Sequence, residues 1–208
     1  LSDLETLWCF SPNAKVLASG NDDLILWDVT NGQLLGRVAQ PDDQQESWIT
    51  ALAFSPDARV VAVGHDDGKV RFIDAATRKF LGEIHTSPVL PVRKAVSAIA
   101  FSPDGRYVAT AGEDRVVRVW DADSHKLITE LRSHTDRVPS LAWSPDSKLL
   151  ISAGWDTSAR VWRPPHPDPL MLLNSHAEQV TVVAFSPDGK YLACADSDND
   201  IHLWLDAE

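Results

Sequence analysis

Three groups of residues have types and spacing that could do chemistry. His134, Ser152 and Asp156 are the parts of a hydrolase triad: a base, a hydroxyl nucleophile and an orienting carboxylate. Ser152, however, falls inside the apolar run 149–153, whereas a nucleophilic serine needs a sharp, exposed turn. The stretch Asp196-Ser197-Asp198-Asn199-Asp200 imitates the start of a calcium loop. Ile201 stands where the sixth position needs glycine, and Ala207 where the twelfth needs a bidentate glutamate, so the stretch reads as an acidic turn. The histidines are His65, His85, His125, His134, His166, His176 and His202, with no pair at zinc-ligand spacing and no Cys-x-x-Cys. There is no phosphate-binding loop and no dinucleotide fingerprint. These residues predict no enzyme, no metal and no cofactor.

The elements that must position these residues are repeats. Phe101-Ser102-Pro103-Asp104-Gly105 is followed nineteen residues after Phe101 by Trp120-Asp121. The same interval separates Phe54 from Ile73, Trp143 from Trp162 and Phe185 from Trp204, each starting in a Ser-Pro-Asp turn. Phe10-Ser11-Pro12-Asn13 leads to Trp27-Asp28 after seventeen. Five copies at a period of about forty to forty-five residues, ending in Trp-Asp, signal a β-propeller. The third copy shows the unit best. Its segments 96–101, 107–111, 116–120 and 126–131 read as strands a, b, c and d, with a Pro-Asp-Gly turn between a and b. The predicted fold is all-β, a single region 1–208 of about five four-stranded antiparallel blades, at approximately 1–40, 41–86, 87–132, 133–174 and 175–208. Too few residues follow Trp204 for a fifth strand d, and too few precede blade one to supply it. An incomplete or fragment propeller, or one completed by another chain, is therefore expected.

Composition narrows the class. The 208 residues carry a formal net charge of −11, which repels phosphate backbones and makes nucleic acid a poor partner. No apolar run reaches the length of a membrane span, and the first ten residues lack the pattern of a signal peptide. Cys9 and Cys194 sit in apolar strand patterns and are expected as buried free thiols. That suits a reducing, cytoplasmic (intracellular) setting. The Pro-rich segment 164–169 reads as a stiff surface loop between strands c and d of blade four. The d–a segments 40–46 and 86–91 are lengthened, and insertions in repeat proteins tend to map to one face, often the binding face.

Across essentially its whole length the chain resembles the WD40-repeat family. That resemblance implies a propeller, usually of seven blades, used as a rigid platform for protein partners. It also implies a hydrogen-bonded set in each blade: a His before strand a, a Ser or Thr in strand b, an Asp in the b–c turn and the Trp of strand c. Blade four matches at His134, Ser152, Asp156 and Trp162. Blade five offers His176, Asp198 and Trp204, with Cys194 at the hydroxyl position. Blade three offers Thr110, Asp114 and Trp120 without the His, and blade two Asp67 without the Trp. Blade one offers Trp27, with Ser19 and Asp22 as approximate counterparts. Read this way, the triad-like set is scaffold, and Asp156→Ala is expected to cost roughly 1–3 kcal/mol by stranding buried partners.

The resemblance places binding at the face carrying the d–a and b–c loops. The residues just before strand a there are Trp48, Ala95, Arg137 and Gln179, and those just before the network Asp are Asp66, Glu113, Trp155 and Ser197. Trp and Arg are the hot-spot types, so Trp48, Arg137 and Trp155 are the expected anchors, beside the alternative that Trp48 and Trp155 cover the rim of the core. Acidic Asp42, Asp43, Glu46, Asp66 and Glu113 suggest a protein or peptide partner with Lys or Arg. The function expected is a non-enzymatic protein-interaction scaffold. Two alternatives stand beside it. One is an assembly role in which open blade edges complete a ring or an oligomer. The other is a ligand-binding or enzymatic propeller with a central-channel site, whose convergent carboxylates or histidines the sequence does not assemble.

Overall fold

The computed structural model describes residues 6–38, 47–86, 94–174 and 176–205. The described strands form five antiparallel sheets in chain order. The first contains β1 (Leu7–Phe10), β2 (Val16–Gly20), β3 (Leu24–Asp28) and β4 (Leu34–Val38), and the second β5 (Ile49–Phe54), β6 (Val60–His65), β7 (Lys69–Asp74) and β8 (Phe80–His85). The third contains β9 (Val96–Phe101), β10 (Tyr107–Gly112), β11 (Val116–Asp121) and β12 (Leu127–Arg132), and the fourth β13 (Ser140–Trp143), β14 (Leu150–Ala153), β15 (Ala159–Trp162) and β16 (Pro169–Leu173). The fifth has three strands among the described residues: β17 (Val180–Phe185), β18 (Tyr191–Asp196) and β19 (Ile201–Leu205). The chain divides into two compact units, 1–96 and 97–208. The expected blades are thus present strand for strand.

The Ser-Pro-Asp turn is built by its side chains as much as by proline. In the third sheet the Ser102 hydroxyl donates to Asp104 Oδ1 (2.6 Å) and accepts the Tyr107 N–H (2.9 Å), pinning both ends of the a–b turn. Ser55 with Asp57, Ser144 with Asp146 and Ser186 with Asp188 repeat it, and Ser11 does so with Asn13. The Asp of Trp-Asp caps the next turn: Asp28, Asp74 and Asp121 accept from Thr30, Thr77 and Ser124, backbone and hydroxyl alike. The repeat signature is therefore a pair of turn clamps, and local side-chain bonds of this kind favour turns over extended structure.

Within each unit neighbouring sheets are joined by backbone. An N–H at or just before the start of strand a reaches a carbonyl at or just after the end of strand b of the sheet before it: Ile49 to Asn21 (2.8 Å), Val138 to Gly112 (3.1 Å) and Val180 to Gly154 (3.1 Å). In unit one the core gathers Leu24, Leu26, Phe54, Val61 and Ile73; in unit two Val119, Leu131, Leu150 and Trp162 lead one cluster, and Ile151, Val161, Val183 and Cys194 another. One expectation changes. Cys194 is buried, and burial pushes its thiol up to about 12, but Cys9 is only half-buried. Strand β1 also exposes Trp8 and Phe10, because only its alternate residues Leu7 and Cys9 pack on the core of unit one.

Turn strain is unevenly relieved. Gly68, Arg115, Thr157 and Asn199 hold the same b–c turn position, all at positive φ. Thr157, at φ 62, carries a β-branched side chain in a region such residues avoid. Thr157→Gly is expected to raise stability by about 1 kcal/mol, read as a higher urea midpoint, because left-handed geometry costs an L-residue roughly that much.

Candidate functional site

Blade four assembles its four expected residues. His134 Nδ1 donates to both Asp156 oxygens (3.1 and 3.0 Å), the Ser152 hydroxyl meets His134 Nε2 (2.7 Å), and Trp162 Nε1–H donates to Ser152 Oγ (2.9 Å). The connectivity is that of a hydrolase triad, base between hydroxyl and carboxylate. The setting is not. Ser152 and Trp162 are wholly buried, so no substrate carbonyl can approach the hydroxyl, whose second bond the indole already takes. Burial lowers the His134 pKa, against the pull of Asp156. Burial alone would raise the Asp156 carboxyl; bonds from His134, Ser158 and the Thr135 N–H hold it far below the usual range. The pair is thus a neutral imidazole and a carboxylate anion.

The counter-charge is a residue the sequence reading missed. Arg160 is buried, donates from Nη1 to Asp156 Oδ2 (2.9 Å) and Ser158 Oγ (2.6 Å), lies against His134 Nδ1, and sends Nε to Ser133 Oγ (3.0 Å). Arg71 and Arg118 stand in the same column, two residues before the Trp position, and are equally buried. Arg118 pairs with Asp114 and with Glu130 (2.9 Å); Arg71 lies 3.9 Å from Asp67 and 3.6 Å from Glu83. The signal was legible as an Arg in mid-strand c, a place where charge is expelled unless paired.

Other blades solve the same problem differently. In blade three Trp120 Nε1 donates to the buried Thr110 hydroxyl (2.9 Å), while Asp114 serves Arg118 instead of a His. In blade one Trp27 donates to Ser19 (3.0 Å), but Asp22 is exposed and it is Asp23 that pairs with a cation, Arg37. Blade two puts Val63 and Ile73, both buried, at the hydroxyl and indole positions. Removing both polar partners together leaves neither stranded, which is why the blade tolerates it.

Blade five corrects the sequence assignment. The carboxylate that meets His176 Nδ1 is Asp196 (2.8 Å), and Asp198 is exposed. The reason is steric. Asp196 holds the register position of Gly154, where a Cβ would lie 2.3 Å from His134 Nδ1 and 2.4 Å from Asp156 Oδ1. A side chain there enters the carboxylate's own space. Asp196 fills it, and its Oδ1 accepts the N–H groups of Asp198 and Asp200 (3.1 and 3.0 Å). The bond from His176 holds the Asp196 carboxyl below its ordinary range. The acidic turn is therefore organised around an inward carboxylate, and among the described residues no His, Cys, Asp and Glu group is placed to hold a metal. Cys194 leaves His176 Nε2 buried without a hydrogen bond. Cys194→Ser supplies the hydroxyl that blade four has, and is expected to stabilise by about 1 kcal/mol, measured as a shift in the urea midpoint.

The candidate partner residues are joined in pairs by one recurring backbone bond. The N–H of Asp66 donates to the Trp48 carbonyl (3.1 Å), that of Trp155 to Arg137 (2.9 Å) and that of Ser197 to Gln179 (3.0 Å). Each pair ties a d–a loop to a b–c loop. In unit one Trp48 is 37% exposed, and Asp66 Oδ1 accepts from the Ser47 hydroxyl and the Trp48 N–H (both 3.0 Å). In unit two the Arg137 guanidinium lies over the Trp155 ring, 4.9 Å from its centroid, and its Nε donates to Ser97 Oγ (2.9 Å) in the preceding blade. Both are half-buried, as are Gln179 and Glu113. The lengthened segment 40–46, with Asp42, Asp43 and Glu46, lies outside the described residues, as do 87–91.

The family model "WD domain, G-beta repeat" matches residues 85–121, 125–163 and 167–204. The model "Anaphase-promoting complex subunit 4 WD40 domain" matches residues 7–92. No curated protein matches. Among solved structures, a chain of "Crystal Structure of Mitotic Checkpoint Complex" superposes with a TM-score of 0.84 at 20% identity, over 96% of this chain and 62% of that one. At that identity the likeness establishes the fold, a propeller, and the chain spans 62% of the length of the chain it matches. With its repeats matched over more than half of its length, its Ser-centred turn clamps in every blade and its Trp–hydroxyl bonds in three of them, the chain belongs to the WD40-repeat family.

Proposed function

We propose that the protein is a non-enzymatic interaction scaffold whose d–a and b–c loops receive a partner peptide or domain, with Arg137 and Trp155 as the anchor. The observation that carries this is the guanidinium stacked on the indole, held by Ser97 and by the Trp155 N–H to Arg137 carbonyl bond. A stacked Arg–Trp pair is rigid before binding, so a partner loses little further entropy in docking on it. Among the described residues the terminal guanidinium nitrogens carry no hydrogen bond, which leaves a fork for a carbonyl or carboxylate of the partner. Asp66 and Glu113 already have interactions within the protein. The overall charge of −11 still favours basic residues flanking the segment that docks. Gln179 with Ser197 extends the surface, and Trp48 with Asp66 is the corresponding pair of unit one. The multi-protein complex in the structural comparison and the complex-subunit family model support a protein partner, and two free cysteines support an intracellular site.

Immobilised protein is used to capture partners from cell extract. Arg137→Glu and Trp155→Ala are each expected to weaken capture at least tenfold, by roughly 1.4 kcal/mol or more, as hot-spot truncations do. Capture unchanged by both substitutions would sink this face as the docking site.

A further inference from the structure

The outer strand of a sheet has a free edge, which proteins shield with charge, proline or a bulge. Strands β4, β8, β12 and β16 are the outer strands of their sheets. Each begins with two uncharged residues and carries a register shift at the second, so the start of every edge is bent. Beyond the shift the strands differ. The fourth residue is Arg37 in β4, Glu83 in β8 and Glu130 in β12, but Leu172 in β16. The third is Gly36, Gly82 or Thr129, but Met171 in β16. From Pro169 to Leu173 the strand carries no charge, and Leu170, Met171 and Leu172 are 54%, 50% and 48% exposed.

The neighbouring strand c accounts for the change. Leu172 faces Arg160 as Glu83 faces Arg71 and Glu130 faces Arg118. Arg118 Nε donates to Glu130 (2.9 Å), and Arg71 Nε lies 3.6 Å from Glu83. Arg160 instead sends Nε to Ser133 and Nη1 to Asp156 and Ser158. Its charge is met inside the blade, so the outer strand has no carboxylate to supply.

Symmetry then selects the partner. Two copies of one strand, paired antiparallel about a two-fold axis, set one residue opposite itself. With the axis at the fourth residue, β8 and β12 would set Glu against Glu and β4 Arg against Arg, and like charges directly opposite are destabilising. The same operation on β16 sets Leu172 against Leu172, Met171 against Leu173 of the second copy and Leu170 against its Asn174, with no charge in any pair.

We infer that β16 pairs with β16 of a second copy, antiparallel about a two-fold axis at Leu172, joining the two fourth sheets into one continuous sheet. Backbone bonds between the edges supply affinity, and Met171 and Leu172 leave water. The charge of −11 on each copy opposes the approach, so association strengthens as salt screens it. This contact is separate from the Arg137–Trp155 surface, and Arg137→Glu leaves it untouched.

Sedimentation equilibrium of the intact chain between about 1 µM and about 1 mM tests it. The mass is expected to rise from 22.9 kDa toward twice that value, at lower protein concentration in about 0.5 M than in about 0.05 M NaCl, with amide exchange slowed across residues 171–173. Leu172→Glu and Leu172→Lys are each expected to weaken association at least about tenfold, by removing the leucine contact and placing like charges on the axis. Both are expected to keep the parent's urea midpoint, because the side chain is half exposed and β8 and β12 carry Glu at this position. An equimolar mixture of the two variants is expected to regain the parent's association, because mixed dimers set Glu against Lys. A mass that stays at the monomer value, association untouched by either variant, or a mixture no better than its components overturns the inference. Growth beyond the dimer overturns it too, since a two-fold contact closes on itself. Protection of 171–173 that requires another protein also overturns it, by assigning the edge to a different chain.

Discussion

Asp156→Ala lowers the free energy of unfolding by about 3–5 kcal/mol, more than the loss of a neutral network would. The sequence-based figure of roughly 1–3 kcal/mol counted only stranded hydrogen bonds. The structure adds a charge. Asp156 accepts from His134, Ser158, Arg160 and the Thr135 N–H, and its removal leaves the Arg160 guanidinium buried with no carboxylate. Breaking a buried pair by deleting one partner is costly because the other cannot regain water. Urea denaturation followed by tryptophan fluorescence measures it. Asp198→Ala is the control, expected within about 0.5 kcal/mol of the parent, because that exposed side chain anchors nothing. Equal losses for the two variants would refute the assignment of Asp196 to the blade-five network.

A second large effect is acid sensitivity centred on blade two. His65 is completely buried, and neither ring nitrogen has a hydrogen bond. Burial, then the charge of Arg71, pushes its pKa down to about 4, against the opposing pull of Asp67 and Asp66. A folded-state pKa below the unfolded value means that the fold favours the neutral ring. The resulting stability is present above about pH 6.5 and is lost as pH falls toward 4, amounting to about 3 kcal/mol over that window. Unfolding free energies measured between pH 7.5 and 4.5 are expected to fall steeply for the parent and less steeply for His65→Gln. Parallel pH profiles would show that the ring is not the titrating group. Lowering of the His134 pKa by burial acts in the same direction and remains in the variant.

The sequence was most informative where physics is local. Ser102, Asp104 and Tyr107 close their turn within five residues, so the repeat motif could be read as punctuation, and the strands between turns followed. The blade-four network was equally legible, because all four of its residues are of the expected type. What was hidden depended on register and volume. Spacing pointed to Asp198 as the partner of His176; only the space beside the register position of Gly154 shows why Asp196 takes it. The buried arginines had one visible signal, their place in mid-strand c, but their partners Glu83 and Glu130 lie on the next strand and the pairing depends on register. The candidate partner residues were found individually, but their joining in pairs, Trp48 with Asp66 and Arg137 with Trp155, is a backbone property that composition does not encode.

The position that closes strand b carries a last consequence. It is Gly112 or Gly154 in two blades, His65 in another and Asp196 in another, so each blade fills one small space from a different point on the chain. Near-identical repeats in tandem are prone to exchange segments with the wrong neighbour while folding. Some of these exchanges are penalised. The loop bearing His134, docked on the strand that ends in His65, would set two rings against each other, whereas on the strand that ends in Asp196 it would meet a carboxylate as His176 does. The irregularity among the repeats thus works as a partial address label, closing some wrong pairings and leaving others open.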